Sequence, residues 1–400
     1  MKRKQLLKFI FFIILALVCI TILAKLTLWY YHRYEARKII QQQQQAIEDV
    51  LAQKKGEFNH IDDEDPFDTN GHISILLIGL DKRVGQTQGN CDAIQFIEID
   101  KSTQHILITA VPRGTYSPLP FGVANTSTDF YVSNACRLAG LDYGLTQIEN
   151  ILGKKSDYLV FVGFSETLGI LRTLRLPTTE TLQWLRHRQS YAIGEPQRAH
   201  NHSSFLKHLI TTFTPNDSSF LDETIHRIVY NMIRTDLSFA QVEAIIKSLT
   251  DMNIDAYPEN IELAMRPYYA VTDIAYNPDT IRDYLTSVLH TLPYHLSKKD
   301  YSNMDIDEIQ YQLLDQIETN KHDTAFITWA IDNNIWLQIE DNKTRQRIHY
   351  DILTRYLSTV INNEEKNKLL ADYIIEMEYL QEDDYVVQAK ILLLDIADKN

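Results

Sequence analysis

Charged side chains lie at the ends of three apolar runs in the first half of the chain. The runs are rich in Ile, Leu or Val and are bounded by turn residues, which predicts three buried strands. They span Ile73–Ile78, Ala93–Ile99 and Ile106–Val111. Asp81 and Arg83 follow the first run, Asp92 precedes the second, and Arg113 follows the third. The sequence therefore brings two carboxylates and two guanidiniums close to neighbouring strand ends.

Pairing of these strands would gather the four charged groups at one rim of a sheet. Carboxylates bind hard divalent cations, and arginine guanidiniums neutralise phosphate oxygens through paired hydrogen bonds. A metal-bound phosphate is the ligand that fits this combination. The alternative from spacing alone is a set of three core strands whose loops carry ordinary surface charges, and it stays open at this point.

Length and composition limit the class of protein. A chain of 400 residues usually holds two or three domains, and 44% hydrophobic with 23% charged residues is typical of globular proteins. Thirty-nine basic against fifty-three acidic residues give a net charge of −14. Nucleic-acid binding needs a basic face, so we expect no nucleic-acid partner.

The cysteines leave the redox state open. Cys19 lies in the first apolar run, and Cys91 and Cys136 are the other two. Outside the cytosol Cys91 and Cys136 could form a disulfide, whereas inside it they would stay thiols. The spacing is unlike that of a zinc site.

The N-terminal region reads as a membrane anchor followed by a spacer. Residues 1–8 form a basic tail, and residues 9–31 form an apolar segment that is long enough to span a bilayer and ends in an aromatic cluster. No small-x-small site follows it, which favours an uncleaved signal anchor over a cleaved signal peptide. The basic tail favours a cytoplasmic N-terminus, although further positive charges on the other side weaken that bias. Residues 32–70 predict a helical stalk and an acidic linker.

The remaining chain divides into two parts. Residues 71–292 mix strands and helices, which predicts an α/β or α+β domain with a mixed sheet flanked by helices. Predicted helices include Leu141–Leu152 and a segment near Ser238–Leu249 that opens with a capping box, and a polar loop is predicted from Gly194 to Arg198. Residues 293–400 predict an all-helical extension.

Several motifs resemble, in the same order, those of the LytR-CpsA-Psr family, over roughly residues 72–292. The matching segments are Ile75–Asp81, Asp92, Val111–Tyr116, Asn134 with Gly140, Ile148–Gly153, Asp157–Phe164, Leu182–Arg188 with Arg198, and Ile233–Ser238. The resemblance implies an enzyme in the cytoplasmic membrane whose main domain is extracytoplasmic. Its reaction would move a glycopolymer phosphate from a polyprenyl-pyrophosphate carrier to a hydroxyl of peptidoglycan or another wall acceptor.

The resemblance also implies roles for individual residues. Asp92 would hold Mg²⁺ or Mn²⁺ with support from Asp81, and both would be catalytic together with Arg113. The phosphates would be bound by four arginines, Arg113, Arg186, Arg188 and Arg198. The lipid tail would occupy a hydrophobic pocket of the domain. Independently of the resemblance, we expect the helices of residues 293–400 to pack on one another or on a protein partner.

This chain departs from the family's pattern at three positions. Asn90 and Asn201 stand where the family often has arginine, and Gly114 stands where it often has aspartate. Each lost charged contact can cost on the order of 2–4 kcal/mol of transition-state stabilisation. The alternative is therefore a catalytically impaired envelope protein that binds a polyprenyl lipid or a glycan on the same fold.

Overall fold

A mixed six-stranded sheet forms the centre of the first part of the chain. The computed structural model describes residues 45–55, 65–81, 89–186, 194–214, 220–289, 306–332 and 334–397, with positions 25, 27, 38 and 42. The strand order is β5-β4-β1-β2-β3-β6. The strands are β1 His72–Asp81, β2 Asn90–Asp100, β3 His105–Ala110, β4 Tyr158–Gly163, β5 Arg234–Thr235 and β6 Ile261–Met265. The predicted mixed sheet is confirmed.

The strand directions bring the ends of four strands and the start of β2 to the same edge of the sheet. β2 is antiparallel to both β1 and β3, β4 is parallel to β1, and β6 is parallel to β3. Consequently β1, β3, β4 and β6 all end where β2 begins. We call this the upper edge, and the opposite one the lower edge.

Helices cover both faces of the sheet, because the strands carry apolar side chains on both. On one face Leu76, Ile94 and Phe161 pack against α2, α3 and the helix α1, residues 45–55. On the other face Ile75 and Ile108 pack against α6 and α8. The remaining helices of this part extend along the flanks. Their bounds are α2 Val132–Leu138, α3 Leu141–Leu152, α4 Phe164–Thr173, α5 Thr178–Arg186, α6 Gly194–Phe213, α7 Phe220–Asn231, α8 Phe239–Asp251 and α9 Ile281–Leu289.

Local signals predicted some of these elements well. α3 has the predicted bounds and ends at Gly153, whose φ of 72° is the left-handed conformation that glycine adopts readily. Ser238 caps α8, and it shares a capping box with Gln241. The predicted loop from Gly194 to Arg198 is wrong, because these residues form the first turn of α6. Pro196 does not prevent this, since the first turn of a helix needs no hydrogen bond from its backbone nitrogens.

The C-terminal extension is helical, as predicted, and it packs against the first part of the chain. Its helices are α10 Ile306–Asn320, α11 Thr324–Asp332, α12 Asn342–Leu357, α13 Asn363–Tyr379 and α14 Asp383–Ala397. A short 3-10 helix, Ile335–Gln338, lies against α4. Gln338 Nε2 donates to Ser165 Oγ at 2.8 Å, and Leu337 fills the space beside Gly169.

The predicted membrane anchor falls outside this description. Apart from positions 25 and 27, residues 9–31 are not among the described residues. Within the described part of the chain, no helix has both the length and the apolar character needed to cross a bilayer. The boundary between the predicted domains, near residue 292, also lies outside the described residues.

Candidate functional site

Asp92 lies on a β-bulge at the upper edge of the sheet. Gly79 pairs with Ala93 and Leu80 pairs with Cys91, so Asp92 is the extra residue of β2. A Cβ atom on Gly79 would come within 2.9 Å of the Ala93 Cβ, so the close approach of the two strands requires glycine there. The sequence placed Asp92 before the strand, whereas it lies within β2. A bulge leaves its extra residue out of the ladder and redirects the side chain.

Two arginines from different elements contact the Asp92 carboxylate. Arg113 follows β3, and its Nη1 lies 2.5 Å from Asp92 Oδ1. Arg198 of α6 places Nη2 3.2 Å from Asp92 Oδ2 and 3.0 Å from the Asp92 backbone oxygen. The Arg198 side chain is only 6% exposed, whereas Arg113 and Asp92 keep 23% and 24% of their side-chain surface accessible. Solvent, and therefore a ligand, can reach the carboxylate and Arg113.

The charges around Asp92 keep it ionised. Burial alone would raise its pKa, but the positive charges of Arg198 and Arg113 outweigh that effect and lower the pKa below the usual value. Arg186 contributes in the same direction. The site therefore holds a carboxylate at neutral pH together with an excess of guanidinium groups.

Arg198 has an ion-pair partner and a neutral histidine near it on its own helix, α6. Glu195 Oε2 lies 3.5 Å from its Nη1. His202, one turn further along, lies 2.7 Å through Nε2 from the Leu185 backbone oxygen, so this nitrogen donates the hydrogen bond. Burial and the charge of Arg198 lower the pKa of His202 to about 4, so its ring is neutral.

Arg186 reaches the same edge from α5. It is the last residue of that helix, and its guanidinium lies 5.3 Å from the centre of the Phe164 ring, where β4 passes into α4. Asp81 ends β1 and pairs with Asn90, two residues before Asp92. Arg188 lies outside the described residues. Asp92, Arg113 and Arg198 thus converge in direct contact, and the roles given to all six residues stay predictions.

A disulfide fixes the start of β2 beside the site. Cys91, next to Asp92, is bonded to Cys136 of α2 with a Cα–Cα distance of 6.0 Å. A Cβ atom on Gly144 of α3 would come within 2.7 Å of the Cys136 Cα, so α3 approaches α2 closely at this point. The disulfide resolves what the sequence left open, since it links β2 to α2, against which α3 packs closely.

The carboxylates of Asp92 and Asp81 are suited to a metal ion whose remaining ligands come from a bound phosphate. Asp92 Oδ1 is buried against Arg113 Nη1 at 2.5 Å, and 24% of the Asp92 side-chain surface stays accessible to a cation. Among the described residues, no group of three or more His, Cys, Asp or Glu side chains forms a complete metal cage. Mg²⁺ commonly needs only one or two carboxylates when substrate phosphates supply further ligands. Asp92, with Asp81 on the neighbouring strand, fits that pattern.

A cavity of about 510 Å³ lies elsewhere, between α1 and α3, and extends towards the lower edge. Polar residues such as Lys54, Thr146 and Glu149 contribute much of its lining, and Lys54 Nζ lies 3.1 Å from Glu149 Oε1. It therefore differs from the apolar lipid pocket that the family resemblance implies. The lipid pocket stays a prediction.

Comparison with known proteins confirms the family resemblance. The model of the LytR_cpsA_psr family matches residues 33–168. This match covers the upper-edge residues Asp92 and Arg113 and supports the resemblance of this part of the chain to the LytR-CpsA-Psr family. Members of this family transfer glycopolymers to the cell wall.

Similar solved structures include the crystal structure of B. subtilis TagV, with 16% identity, a TM-score of 0.42, and coverage of 56% of this chain and 100% of that one. TagT bound to LIIa-WTA has 14% identity, a TM-score of 0.38, and coverage of 56% and 92%. Protein gbs0355 from Streptococcus agalactiae has 13% identity, a TM-score of 0.42, and coverage of 61% and 94%. No curated protein matches the chain.

Proposed function

We propose that this chain is a transferase that moves a glycopolymer phosphate from a polyprenyl-pyrophosphate carrier to a hydroxyl of peptidoglycan or another wall acceptor. The observation that supports this most is the contact of Arg113 and Arg198 with Asp92 at the upper edge. Three guanidiniums, counting Arg186, act on one carboxylate there. Such an excess of positive charge favours a pyrophosphate ligand.

The lipid-linked donor and the acceptor hydroxyl are the only two reactants that this transfer requires. The acceptor oxygen bonds to the phosphorus that carries the glycan, and the bond from that phosphorus to the polyprenyl phosphate oxygen breaks. Polyprenyl phosphate leaves with the electron pair, and the acceptor proton passes to solvent or to the departing phosphate. Phosphoryl transfer depends mainly on positioning and charge neutralisation, which Arg113, Arg186 and Arg198 would supply.

The same proposal assigns a metal to the aspartates. Asp92 and Asp81 would hold Mg²⁺ or Mn²⁺, which would neutralise charge on the bound pyrophosphate. The contribution of the chain itself is to keep Asp92 ionised through its two arginine partners.

The location we propose is the outer face of the cytoplasmic membrane, with residues 9–31 as the anchor and the N-terminus inside. The Cys91–Cys136 disulfide supports this, because such bonds persist in oxidising compartments outside the cytosol.

A second candidate function is binding of a polyprenyl lipid or glycan without efficient transfer. Asn201, which stands where the family often has arginine, is fully buried and accepts a hydrogen bond from Gln197 Nε2 at 3.0 Å. The Asn201 side chain is therefore bonded inside the protein and does not face a ligand at the upper edge. Asn90 differs, because its Oδ1 accepts from Arg137 Nε at 3.0 Å, which brings another guanidinium to this part of the edge.

The two candidates are separated by a turnover assay on the full chain in lipid nanodiscs. The substrates are a polyprenyl-pyrophosphate-linked glycan and peptidoglycan fragments, with Mg²⁺ or Mn²⁺ present, and the release of polyprenyl phosphate is measured. We expect turnover that falls about 10²- to 10³-fold in Arg113→Ala. Arg347→Ala, an exposed arginine on α12, is the matched control and should keep wild-type turnover. Donor binding without turnover would exclude the transferase and leave the binding protein.

A further inference from the structure

An uncharged loop projects from the upper edge beside Arg113. The fifteen residues between Arg113 and Asp129 contain no Asp, Glu, Lys or Arg, in a chain in which 23% of residues are charged. At the centre of the loop lies the apolar sequence Pro118-Leu-Pro-Phe-Gly-Val123. Phe121 is fully exposed, and Pro118 and Pro120 are exposed beside it. Together with the partly exposed Leu119 and Val123 these side chains form one contiguous apolar surface, and such a surface indicates an interaction site.

A tight turn presents Phe121 at the apex of this loop. Val123 N donates to the Pro120 backbone oxygen at 3.2 Å, and Gly122 has a φ of 81°. Positive φ at the third position defines a type II turn, which favours glycine there. A Cβ atom on Gly122 would meet no other atom within 4 Å, so the tip stands clear of the rest of the molecule. The turn therefore holds the Phe121 ring away from the protein.

The base of the loop is fixed to the site. Ser117 N donates to the Phe130 oxygen at 2.8 Å, and the Tyr116 ring stacks on the Phe130 ring with centroids 5.9 Å apart. Tyr143 of α3 donates its hydroxyl proton to the Pro118 oxygen at 3.0 Å. Ser133 N, at the start of α2, donates to the Arg113 oxygen at 3.2 Å. These bonds give the loop a set position relative to Arg113.

We infer that this loop inserts Phe121 into the surface of the lipid bilayer and so holds the upper edge against the membrane. The inference rests on the proposed function, in which the donor at this edge carries a polyprenyl chain. Aromatic side chains favour the membrane–water interface, and a segment without charges can enter it without desolvating an ion. Tyr268, which is 83% exposed and follows β6, is a second exposed aromatic side chain at the same edge of the sheet.

The charge pattern favours a bilayer over a wall glycan as the occupant. The tip consists of proline, leucine, phenylalanine, glycine and valine, none of which has a polar side chain to bond sugar hydroxyls. The loop also begins next to an arginine, Arg113, that can contact lipid phosphates while Phe121 lies deeper. Insertion would place the candidate phosphate site at the depth of the headgroups.

The insertion is tested with an environment-sensitive fluorophore on the full chain. Phe121→Cys is labelled in a Cys19→Ala background, where Cys91 and Cys136 are protected by their disulfide. Tyr257→Cys is the control, because Tyr257 is 51% exposed and lies before β6 at the lower edge. Vesicles of phosphatidylcholine and phosphatidylglycerol, with and without brominated acyl chains, are the probe.

We expect a blue shift and quenching by brominated lipid at position 121 and neither at position 257. Equal behaviour of the two positions would overturn the inference. A response at position 121 to peptidoglycan fragments but not to vesicles would overturn it as well, in favour of a glycan contact.

A second measurement separates this inference from the proposed function. Phe121→Asp should reduce turnover of a vesicle-embedded polyprenyl donor at least tenfold and leave turnover of a short-chain, water-soluble donor near the wild-type value. Arg113→Ala should reduce both. Equal loss with both donors in Phe121→Asp would contradict a membrane role. Absence of turnover by the wild type with either donor would reject the transferase, while the quenching data would still decide whether the loop inserts.

Discussion

Asn334 Nδ2 donates a hydrogen bond to Glu166 Oε1 at 2.7 Å. This bond joins the helical extension to the first turn of α4, two residues after Phe164, whose ring lies under Arg186. The extension therefore packs against α4, the helix that begins at the upper edge, and stabilises its first turn. A partner that binds the extension would act on a surface mechanically connected to the candidate site.

The contact between the extension and α4 predicts the effect of filling the space at Gly169. In Gly169→Leu the new side chain would meet Leu337 and the Met232 Sδ, which lies 2.8 Å from the position of a Cβ atom. Overpacking of this kind costs about 1–3 kcal/mol, so we expect a lower urea midpoint and faster proteolytic release of the extension. Gly114→Ala is the control, since no atom lies within 4 Å of a Cβ there. An unchanged midpoint in Gly169→Leu would show that the extension does not depend on this contact.

Arg198 should control the ionisation of Asp92. It is the largest of the attractive charges that lower the Asp92 pKa, so Arg198→Ala should raise that pKa and weaken donor binding. Because the folded-state pKa is depressed, the ion pairs stabilise the protein above about pH 4 and lose this effect as the pH falls through the folded value. Titration of ¹³C-labelled aspartate checks the pKa. Arg198→Lys should give an intermediate result, because lysine keeps the charge but loses the paired contacts. Unchanged Asp92 titration in Arg198→Ala would refute this role.

Sequence patterns were informative where the determining signal is local. The apolar run Ile73–Ile78 and the cap at Ser238 each predict an element from a few residues, and strand ends correctly brought Asp92 and Arg113 together. Features that depend on distant residues were missed. The bulge at Asp92 requires knowledge of both strands, and β6 gains its partner only through pairing with β3, about 150 residues earlier in the chain.

Contacts with distant residues also explain why the first turn of α6 was predicted as a loop. Gly194 and Pro196 are turn residues by local preference, but tertiary contacts override it. Gln197 Nε2 bonds the Thr272 backbone oxygen at 2.7 Å, and Gln95 Nε2 bonds that of Ala199 at 3.1 Å. These buried contacts stabilise the first turns of α6 and place Arg198 beside Asp92.

The disulfide beside Asp92 should stabilise the domain and maintain the site. It closes a loop of 45 residues, for which the chain-entropy estimate is about 4 kcal/mol. We expect the double variant Cys91→Ser with Cys136→Ser to show a lower thermal midpoint and weaker binding of pyrophosphate. Cys19→Ser is the control and should match the wild type. Alkylation mass spectrometry should find both cysteines blocked before reduction and reactive afterwards. Free thiols at both positions in the native protein would contradict the bond.

A half-buried carboxyl group in the extension predicts a pH-dependent stability. Burial raises the pKa of Glu376 on α13 to about 7, and Arg345 offsets this only in part. His349, whose Nδ1 lies 4.0 Å away, has its pKa lowered to about 3 by burial and by Arg345, so it stays neutral.

As the pH rises from about 4.5 to 7, the unfolded chain releases the Glu376 proton while the folded chain keeps it, so this group loses on the order of 3 kcal/mol of stability. Glu376→Gln removes the titration. It should therefore be more stable than the wild type at pH 8 and about equal to it at pH 4.5.

The measurement is urea unfolding followed by the fluorescence of Trp336, which stacks on His349 at a centroid distance of 3.9 Å. Glu378→Gln, at an exposed position on the same helix, should keep the wild-type dependence on pH. A constant difference between Glu376→Gln and the wild type across this range would mean that folding does not raise the pKa of Glu376.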